Sequence, residues 1–531
     1  MLHPAPRTPI PFPVTFHSII AMTSREILSR RSFLRNAAGL GLGISATNAL
    51  FDLRLLNNAV AATNVTDYKA MVCLFMNGGN DASNMLIPWD QERYDNYRKI
   101  RGQRLALWRD AAEATARPLL NGATNPNSYY GVPLTGVADT GYAVHNSMSG
   151  VQSLYNQKKL AFLPGVGTLV EPMTRAQYRA GTRRKPPQLF SHNDQVTEWM
   201  TSVPDQISRT GWGGRTIDKM KEELIHQGIP SGSISMSVSM AGSNTWEVGD
   251  IVNQFQVSTG GAVTFTNYSG ARKTLMDKIL RDPGAGGDPL LDAERTNLTL
   301  RDFRNINERA LLNGASLSTA LSRLTTGNPD AAMGTAINAA FGIPATVAAY
   351  SNLSGLEQQL HTIARIIAER SYLGMRRQIF FCSIGGFDTH GDQPLAHNNL
   401  MASVSRAMAK FYAATEALTI PQKVTTFSIS DFGRTFKSNG LGTDHAWSSH
   451  HMVMGGAVSG GKVYGTFPIQ QLGGPDDTDS GTGATGRFLP STSTDEYAAT
   501  LSRWFGLGEA ELDVVFPNLN RFANRNLGFM G

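Results

Sequence analysis

Residues 428–451, SISDFGRTFKSNGLGTDHAWSSHH, crowd Asp431, Asp444, Arg434, His445, His450 and His451 into a turn-rich stretch just after an apolar run. A stable fold requires none of that. Two other segments end the same way. AMVCLFMNGGND delivers Asp81, with Asn80 and Asn84 beside it, and RQIFFCSIGGFDTHGD delivers Asp388, His390 and Asp392. Both share an apolar run, paired glycines, one residue, then aspartate. Carboxylates gathered from distant segments repel one another unless a shared proton or a cation offsets them. With imidazoles added, a divalent metal is the economical solution. Asp and His together suit Zn, Mn or Fe, whereas an oxygen-only set suits Mg or Ca.

Each of these residues also has a plainer role. Asp81 after a strand fits the N-cap of the following helix as readily as a metal ligand. Asp388 and His390 fit a hydrogen-bonded pair supporting a turn. Arg434 suits neutralisation of Asp431 as well as an anionic substrate. In GLGTDHAW the glycines let the backbone turn sharply, which makes His445 a better ligand than His450 or His451 on an ordinary polar face. His145, His226 and His361 read as structural.

What positions these residues is a series of short apolar runs. AMVCLFMNGG, KLAFLPGVG, SISMSVSM, RQIFFCSIGG and KVTTFSIS are rich in β-branched or aromatic residues and close on Gly, Asn or Ser. Such runs suit buried strands of a mainly parallel sheet. Between them lie amphipathic helices. SGLEQQLHTIARIIAERSY opens on a Ser354-x-x-Glu357 capping box, and STDEYAATLSRWFGLG carries Ser493-x-x-Glu496 and ends on Gly506. Strand and helix in alternation predict a doubly wound α/β domain with helices on both faces of the sheet. In such sheets ligands gather beyond the carboxyl ends of the strands, where Asp81, Asp388 and Asp431 fall. Residues about 241 to 350 are Gly-rich and polar with two helical stretches and no clear strand order. They read as a largely helical insertion or cap within a single domain spanning 62–531.

The chain has 531 residues and a net charge of +6, and residues 1–61 hold a surplus of four positive charges, six arginines against Glu26 and Asp52. Residues 62–531 are left at +2, which removes the electrostatic case for nucleic acid or an anionic membrane. The N-terminal stretch itself reads as a twin-arginine signal. Arg30 and Arg31 precede Phe33-Leu34 and a short Gly-rich apolar run, and AVAA places cleavage before Ala62. The Pro-rich residues upstream fit no signal region and suggest a start at Met22. Export by the twin-arginine translocase to the periplasm or beyond is the expectation, with no membrane span in the mature chain. Cys73 and Cys382 form no disulfide framework and no metal motif; buried thiols or one bridge between neighbouring strands both fit.

LFMNGGNDASNMLIP, FSHNDQVTEWM followed by GWGGR, GGFDTHGDQ, SDFGRT, GTDHAW and GGAVSGGKVYG, taken in order, resemble the successive motifs of the exported bacterial family named domain of unknown function 1501, over about residues 65–525. That family carries no established activity. More distantly, the motifs resemble the alkaline phosphatase and sulfatase superfamily, with its parallel-sheet core and metal centre at the strand ends. The resemblance implies metal roles for Asp81, Asp388, His390, Asp431 and His445, with zinc or manganese the expected ion. It places Ser191, in LFSHND ahead of a helix, near the nucleophile's position, although an N-cap role suits Ser191 equally. Phe432 stands where the superfamily has a histidine, and His390 follows its aspartate more closely than usual. One metal, or a second site of Mg or Ca type, is therefore expected.

The implied chemistry is metal-dependent hydrolysis of a small phosphate or sulfate ester, with Ser191 attacking and Arg434 holding an anionic oxygen. The alternative is an exported binding or assembly protein that keeps a metal for stability on the same fold.

Overall fold

The run KAMVCLFMN, Lys69–Asn77, forms strand β1 at the centre of the main sheet, with Ala70 to Met76 all buried. Covered on both faces, a strand has no position for alternating polar residues, which explains its unbroken apolar sequence. The structure is a computed structural model that describes residues 65–115, 129–135, 141–262, 268–274, 298–344 and 352–531. The signal expected at 1–61 and parts of the cap expected at 241–350 lie outside these residues.

In chain order the remaining strands are β2 (Leu86–Pro88), β3 (Gly131–Pro133), β4 (Tyr142–His145), β5 (Leu160–Gly167), β6 (Ser237–Ser239), β7 (Phe255–Ser258), β8 (Gly261–Ala262), β9 (Arg377–Gly385), β10 (Val424–Ser430), β11 (Ser449–Gly455) and β12 (Thr492–Ser493). Nine of them form one sheet in the order β12-β5-β11-β10-β1-β9-β6-β7-β8, and β2-β4-β3 form a small second sheet. β1 runs parallel to β10 and β9, and β6 runs parallel to β9 and β7. β11 is antiparallel to both β10 and β5. The fold is thus α/β with a mixed, mostly parallel sheet.

Ten helices are used below: α1 (Gln91–Leu105), α2 (Ser149–Asn156), α3 (His192–Thr201), α4 (Trp212–His226), α5 (Leu298–Arg323), α6 (Ala331–Phe341), α7 (Gly355–Ala368), α8 (Gln393–Ala417), α9 (Thr494–Phe505) and α10 (Glu509–Val515). Eight of them pack in two sets, α2, α6, α7 and α8 against one another, and α3, α4, α9 and α10 in a second group, while α5 lies against α7 and α1 against α8. Both capping boxes form. The Ser354 hydroxyl accepts from the Glu357 amide while Glu357 returns to the Ser354 amide, and Ser493 and Glu496 repeat the exchange. Each such cap is worth about 1 kcal/mol.

Two sequence expectations change, and of the two states open to the cysteines the structure has the free, buried thiols. The region read as lacking strand order contributes β7 and β8 to an end of the main sheet. Its signal is the alternation in Phe255, Gln256, Val257 and Ser258, buried and exposed in turn, which is too short to stand out. His450 and His451 lie within β11 and are buried, not on a polar face. Cys73 and Cys382 are both free. Leu74 is the register partner of Cys382, so Cys73 points to the opposite face and no bridge can close.

Register brings the loops together. Met76 lies opposite Ser430 on one side and Ile384 on the other, and Asn77 lies opposite Gly385. The chain therefore leaves β1, β9 and β10 at one level of the sheet, with Gly78, Gly386 and Asp431 as the next residues.

Candidate metal centre

The paired glycines after β1 let the three loops close on each other. Gly78 and Gly79 have φ of +117° and +81°. A Cβ on Gly78 would stand 2.5 Å from the Asp388 amide nitrogen, and one on Gly79 would stand 2.6 Å from the Phe432 ring. Only glycine satisfies both the backbone angle and the space. The Gly78 amide then donates to Asp431 Oδ1 at 2.8 Å.

Three imidazoles meet at the mouth of these loops. His445 Nε2 lies 3.1 Å from His192 Nε2 and 3.0 Å from His390 Nε2, so the other two rings flank it. Asp388 Oδ1 completes the group at 3.1 Å from His390, 3.3 Å from His445 and 3.5 Å from His192. The ligand atoms of His192, Asp388 and His445 all lie within 4.8 Å of one another.

The opposite nitrogens decide what this means. His192 Nδ1 is 2.7 Å from Asp431 Oδ2, His390 Nδ1 is 3.0 Å from Asp444 Oδ1, and His445 Nδ1 is 2.8 Å from the Phe190 carbonyl. Carboxylates and carbonyls only accept, so each Nδ1 carries a proton, and in the neutral rings each Nε2 turns a lone pair toward the others. Lone pairs at 3.0–3.1 Å, with a carboxylate oxygen added, repel without a cation between them. A tetrahedral ion with ligand bonds near 2.1 Å separates its ligand atoms by ~3.4 Å, close to these spacings. Orienting carboxylates and carbonyls on the far nitrogens are what metal-bound histidines ordinarily have. The residues fit a divalent transition ion.

Backbone strain contributes to the aim of one of them. Phe190 has a φ of +75°, an unusual conformation for an aromatic residue, and its carbonyl is the one that fixes His445. Such a residue costs about 1–3 kcal/mol and persists only where its surroundings hold it. The Phe432 ring, fully buried, packs on both His192 and His445 at centroid distances of 4.7 and 4.6 Å. It sets the planes of the two imidazoles by packing against both.

Charge at the centre follows from Arg434. Partial burial alone would raise the Asp388 carboxyl, but the bonded Arg434 guanidinium, with His390 and His445 beside it, holds it at about 2. Asp444 is likewise lowered against the effect of burial by Asn439 and His390. Burial lowers His445, with Arg434 and His192 adding to it and the Phe190 carbonyl and Asp388 opposing. All three shifts favour an ionised carboxylate beside a neutral imidazole, the state a metal needs.

The sequence-derived residues divide. Asp388, His390 and His445 meet as expected. Asp431 is buried and bonds the far nitrogen of His192, so it orients a ligand instead of joining the convergent atoms. Asp81 is neither ligand nor cap: its fully buried carboxylate pairs with Arg101 of α1 and accepts from Gln393, and its side chain makes no N-cap bond. A buried carboxylate without a metal requires such a cation. Asp81 Oδ2 takes both of these bonds while its buried Oδ1 has no hydrogen-bond partner among the described residues, and Asp431 accepts from the Gly78 amide at Oδ1 and bonds His192 at Oδ2. Arg434, expected to hold a substrate anion, has a side chain with no exposure and donors already bonded to the carbonyls of Gly78, Gly79, Phe387 and Thr443 and to Asp388. Ser191 stands at the N-cap of α3 without a side-chain cap bond; its hydroxyl donates to Asp194 Oδ2 at 2.5 Å instead.

His192 is the residue that sequence reasoning passed over. It follows Ser191 directly, at the first position of α3, where the SHND sequence draws attention to its serine. Phe190 as a carbonyl ligand-holder has no side-chain signal at all.

Residues 283–479 match the family described as "Protein of unknown function (DUF1501)", a span that includes Asp388, His390, Asp431, Arg434, Asp444 and His445. It does not reach Asp81, Ser191 or His192. No curated protein matches the chain. Among solved structures, the crystal structure of Ps i-CgsB in complex with k-i-k-neocarrahexaose is similar at 8% identity, with 86% of this chain and 77% of that chain covered and a TM-score of 0.29. A score that low bears on neither fold nor function.

Proposed function

We propose that this protein is a metal-dependent hydrolase of small phosphate or sulfate esters that works outside the cytoplasm after twin-arginine export. One observation carries the reading: three imidazole lone pairs and a carboxylate oxygen converge at a partly exposed point beyond the strand ends. His192, His445 and Asp388 are the ligand set, with His390 beside them, and this nitrogen-rich group suits zinc or manganese better than Mg or Ca. Such an ion supplies Lewis-acid polarisation of the ester oxygen and stabilises charge on the departing group.

The chain's own residues do the rest. Asp431, Asp444 and the Phe190 carbonyl keep the three Nδ1 protons in place, so the ligand nitrogens stay unprotonated. The Ser191 hydroxyl is free of capping and already hydrogen-bonded to a carboxylate. As Ser191 Oγ bonds to phosphorus or sulfur, Asp194 takes the hydroxyl proton, and the bond to the alcohol oxygen breaks with that oxygen taking a proton from solvent. Water then cleaves the serine ester and the proton returns to Ser191 Oγ. The paired arginines of the N-terminal segment support export of the folded chain.

A second reading has its own support. Arg434 has its donors engaged within the fold, and Phe432 occupies space beside the imidazoles, as suits a binding or assembly protein that keeps a metal without turnover. Metal analysis of the purified mature chain, followed by assays on aryl phosphate and aryl sulfate esters, separates the two. The hydrolase reading expects about one ion per chain and turnover lost in Asp388→Ala. Bound metal without turnover supports the binding protein, and absence of metal removes both readings.

A further inference from the structure

We propose that Arg434 is the positioning residue that builds the centre before any ion arrives, a proposal that rests on the metal-centre reading. The ligand loops come from distant parts of the chain, and Arg434 touches most of them. Its Nε donates to the Gly79 carbonyl at 2.9 Å, Nη1 to the Thr443 carbonyl at 3.1 Å, and Nη2 to the Phe387 carbonyl at 3.2 Å and to the Gly78 carbonyl. The same Nη2 bonds Asp388 Oδ1, and Nη1 lies 3.5 Å from His390 Nε2. Its backbone forms an antiparallel bridge with His445. One side chain therefore grips the β1 loop, the residues on either side of the Phe387-Asp388 peptide, and the loop two residues before His445.

Two physical consequences follow. A rigid fork with five N–H groups can serve carbonyls in several directions at once, which a lysine ammonium on a flexible stem cannot. The guanidinium also sets a permanent positive charge on the protein side of a cluster of lone pairs and a carboxylate. It offsets part of their repulsion while the site lacks an ion. The loops are therefore held in the ligand geometry by the fold, and an ion enters a finished cage instead of ordering a loose one.

Hydrogen exchange on the chelator-stripped mature chain tests this, with zinc as the probe. Wild-type loops 385–392 and 439–445 are expected to be protected almost equally with and without zinc. In Arg434→Gln the same loops are expected to exchange ~10–100-fold faster without zinc, to recover at saturating zinc, and to bind it ~10–100-fold more weakly, the usual cost of removing an orienting partner. β5 and α7 serve as the control for global folding. If Arg434→Gln does not fold, Arg434→Lys provides the reading and is expected to show the same loss in smaller degree. The proposal is overturned if the ion-free wild-type loops exchange as fast as those of the variant, or if the variant takes zinc with wild-type affinity. Should the wild type take no zinc, the metal reading falls, yet the exchange difference between wild type and variant still decides whether Arg434 holds the loops.

Discussion

Two clusters of acids and imidazoles lie past the end of β1, built from similar residues to opposite effect. The buried one holds Asp81, Asn80, His145 and His397. Asp81 has Arg101 as its counter-ion, and His397 Nε2 lies 3.0 Å from Asn80 Oδ1. The open one holds Asp388, His192, His390 and His445, with lone pairs facing one another. Composition does not tell them apart. The difference is which nitrogen of each ring is bonded and whether an arginine or an external ion supplies the positive charge. A histidine whose inner nitrogen is committed to a carboxylate or carbonyl, with its outer nitrogen aimed at its equals, belongs to a site. A histidine sealed in with an amide partner belongs to the core.

Acid should break the comparison most. Burial pushes His145, His397 and His451 down to about 3. These rings stay neutral in the folded chain while the unfolded chain protonates them near 6.5, so the unfolded state binds more protons. Stability is thus complete above 6.5 and is lost as pH falls toward 3, by about 1.4 kcal/mol per pH unit for each ring. Urea unfolding of the ion-free chain at pH 7 and pH 5 checks this; equal midpoints would remove the assignment of these rings to the core. Next in size, Arg101→Ala leaves Asp81 buried without its counter-ion and should cost about 3–5 kcal/mol, while zinc affinity of the fraction that folds changes little. Smaller still, Asp444→Asn should weaken zinc binding ~10–100-fold by loosening His390, equivalent to ~1.4–2.7 kcal/mol, with the urea midpoint of the ion-free chain unmoved. A chelator competition titration reads the affinity, and equal zinc affinity in Asp444→Asn would place His390 outside the centre.

Much of this was legible before the structure, and for identifiable reasons. β1 and β9 appear in sequence because a strand covered on both faces is largely apolar, β10 because it is a short run of β-branched, aromatic and small residues, and the glycine pairs mark where backbones approach. Asp388, His390 and His445 stood out because acids and imidazoles follow those glycines within a few residues. His192 did not, since a histidine at the start of a helix has no local pattern to distinguish it, and its partners lie more than two hundred residues away at 431 and 445. Arg101 was hidden for a different reason. Helix α1, QERYDNYRKIRGQRL, is polar around most of its circumference and reads as a surface helix, yet Arg101 is 1% exposed. A charged residue reaches the interior only when a tertiary partner awaits it, and nothing local in the sequence announces the partner.

On the proposed metal reading the ligand atoms are drawn from residues 192, 388 and 445, with His390 beside them, so no fragment of the chain shorter than that span can capture the ion. Loading would then be a late event, after translation has passed His445 and the sheet has assembled. An ion bound there would therefore be selected from whatever the surroundings offer at the moment folding finishes. A chain that folds before crossing a membrane takes its ion from the cytosolic supply and carries that choice outward, whatever metals abound on the other side.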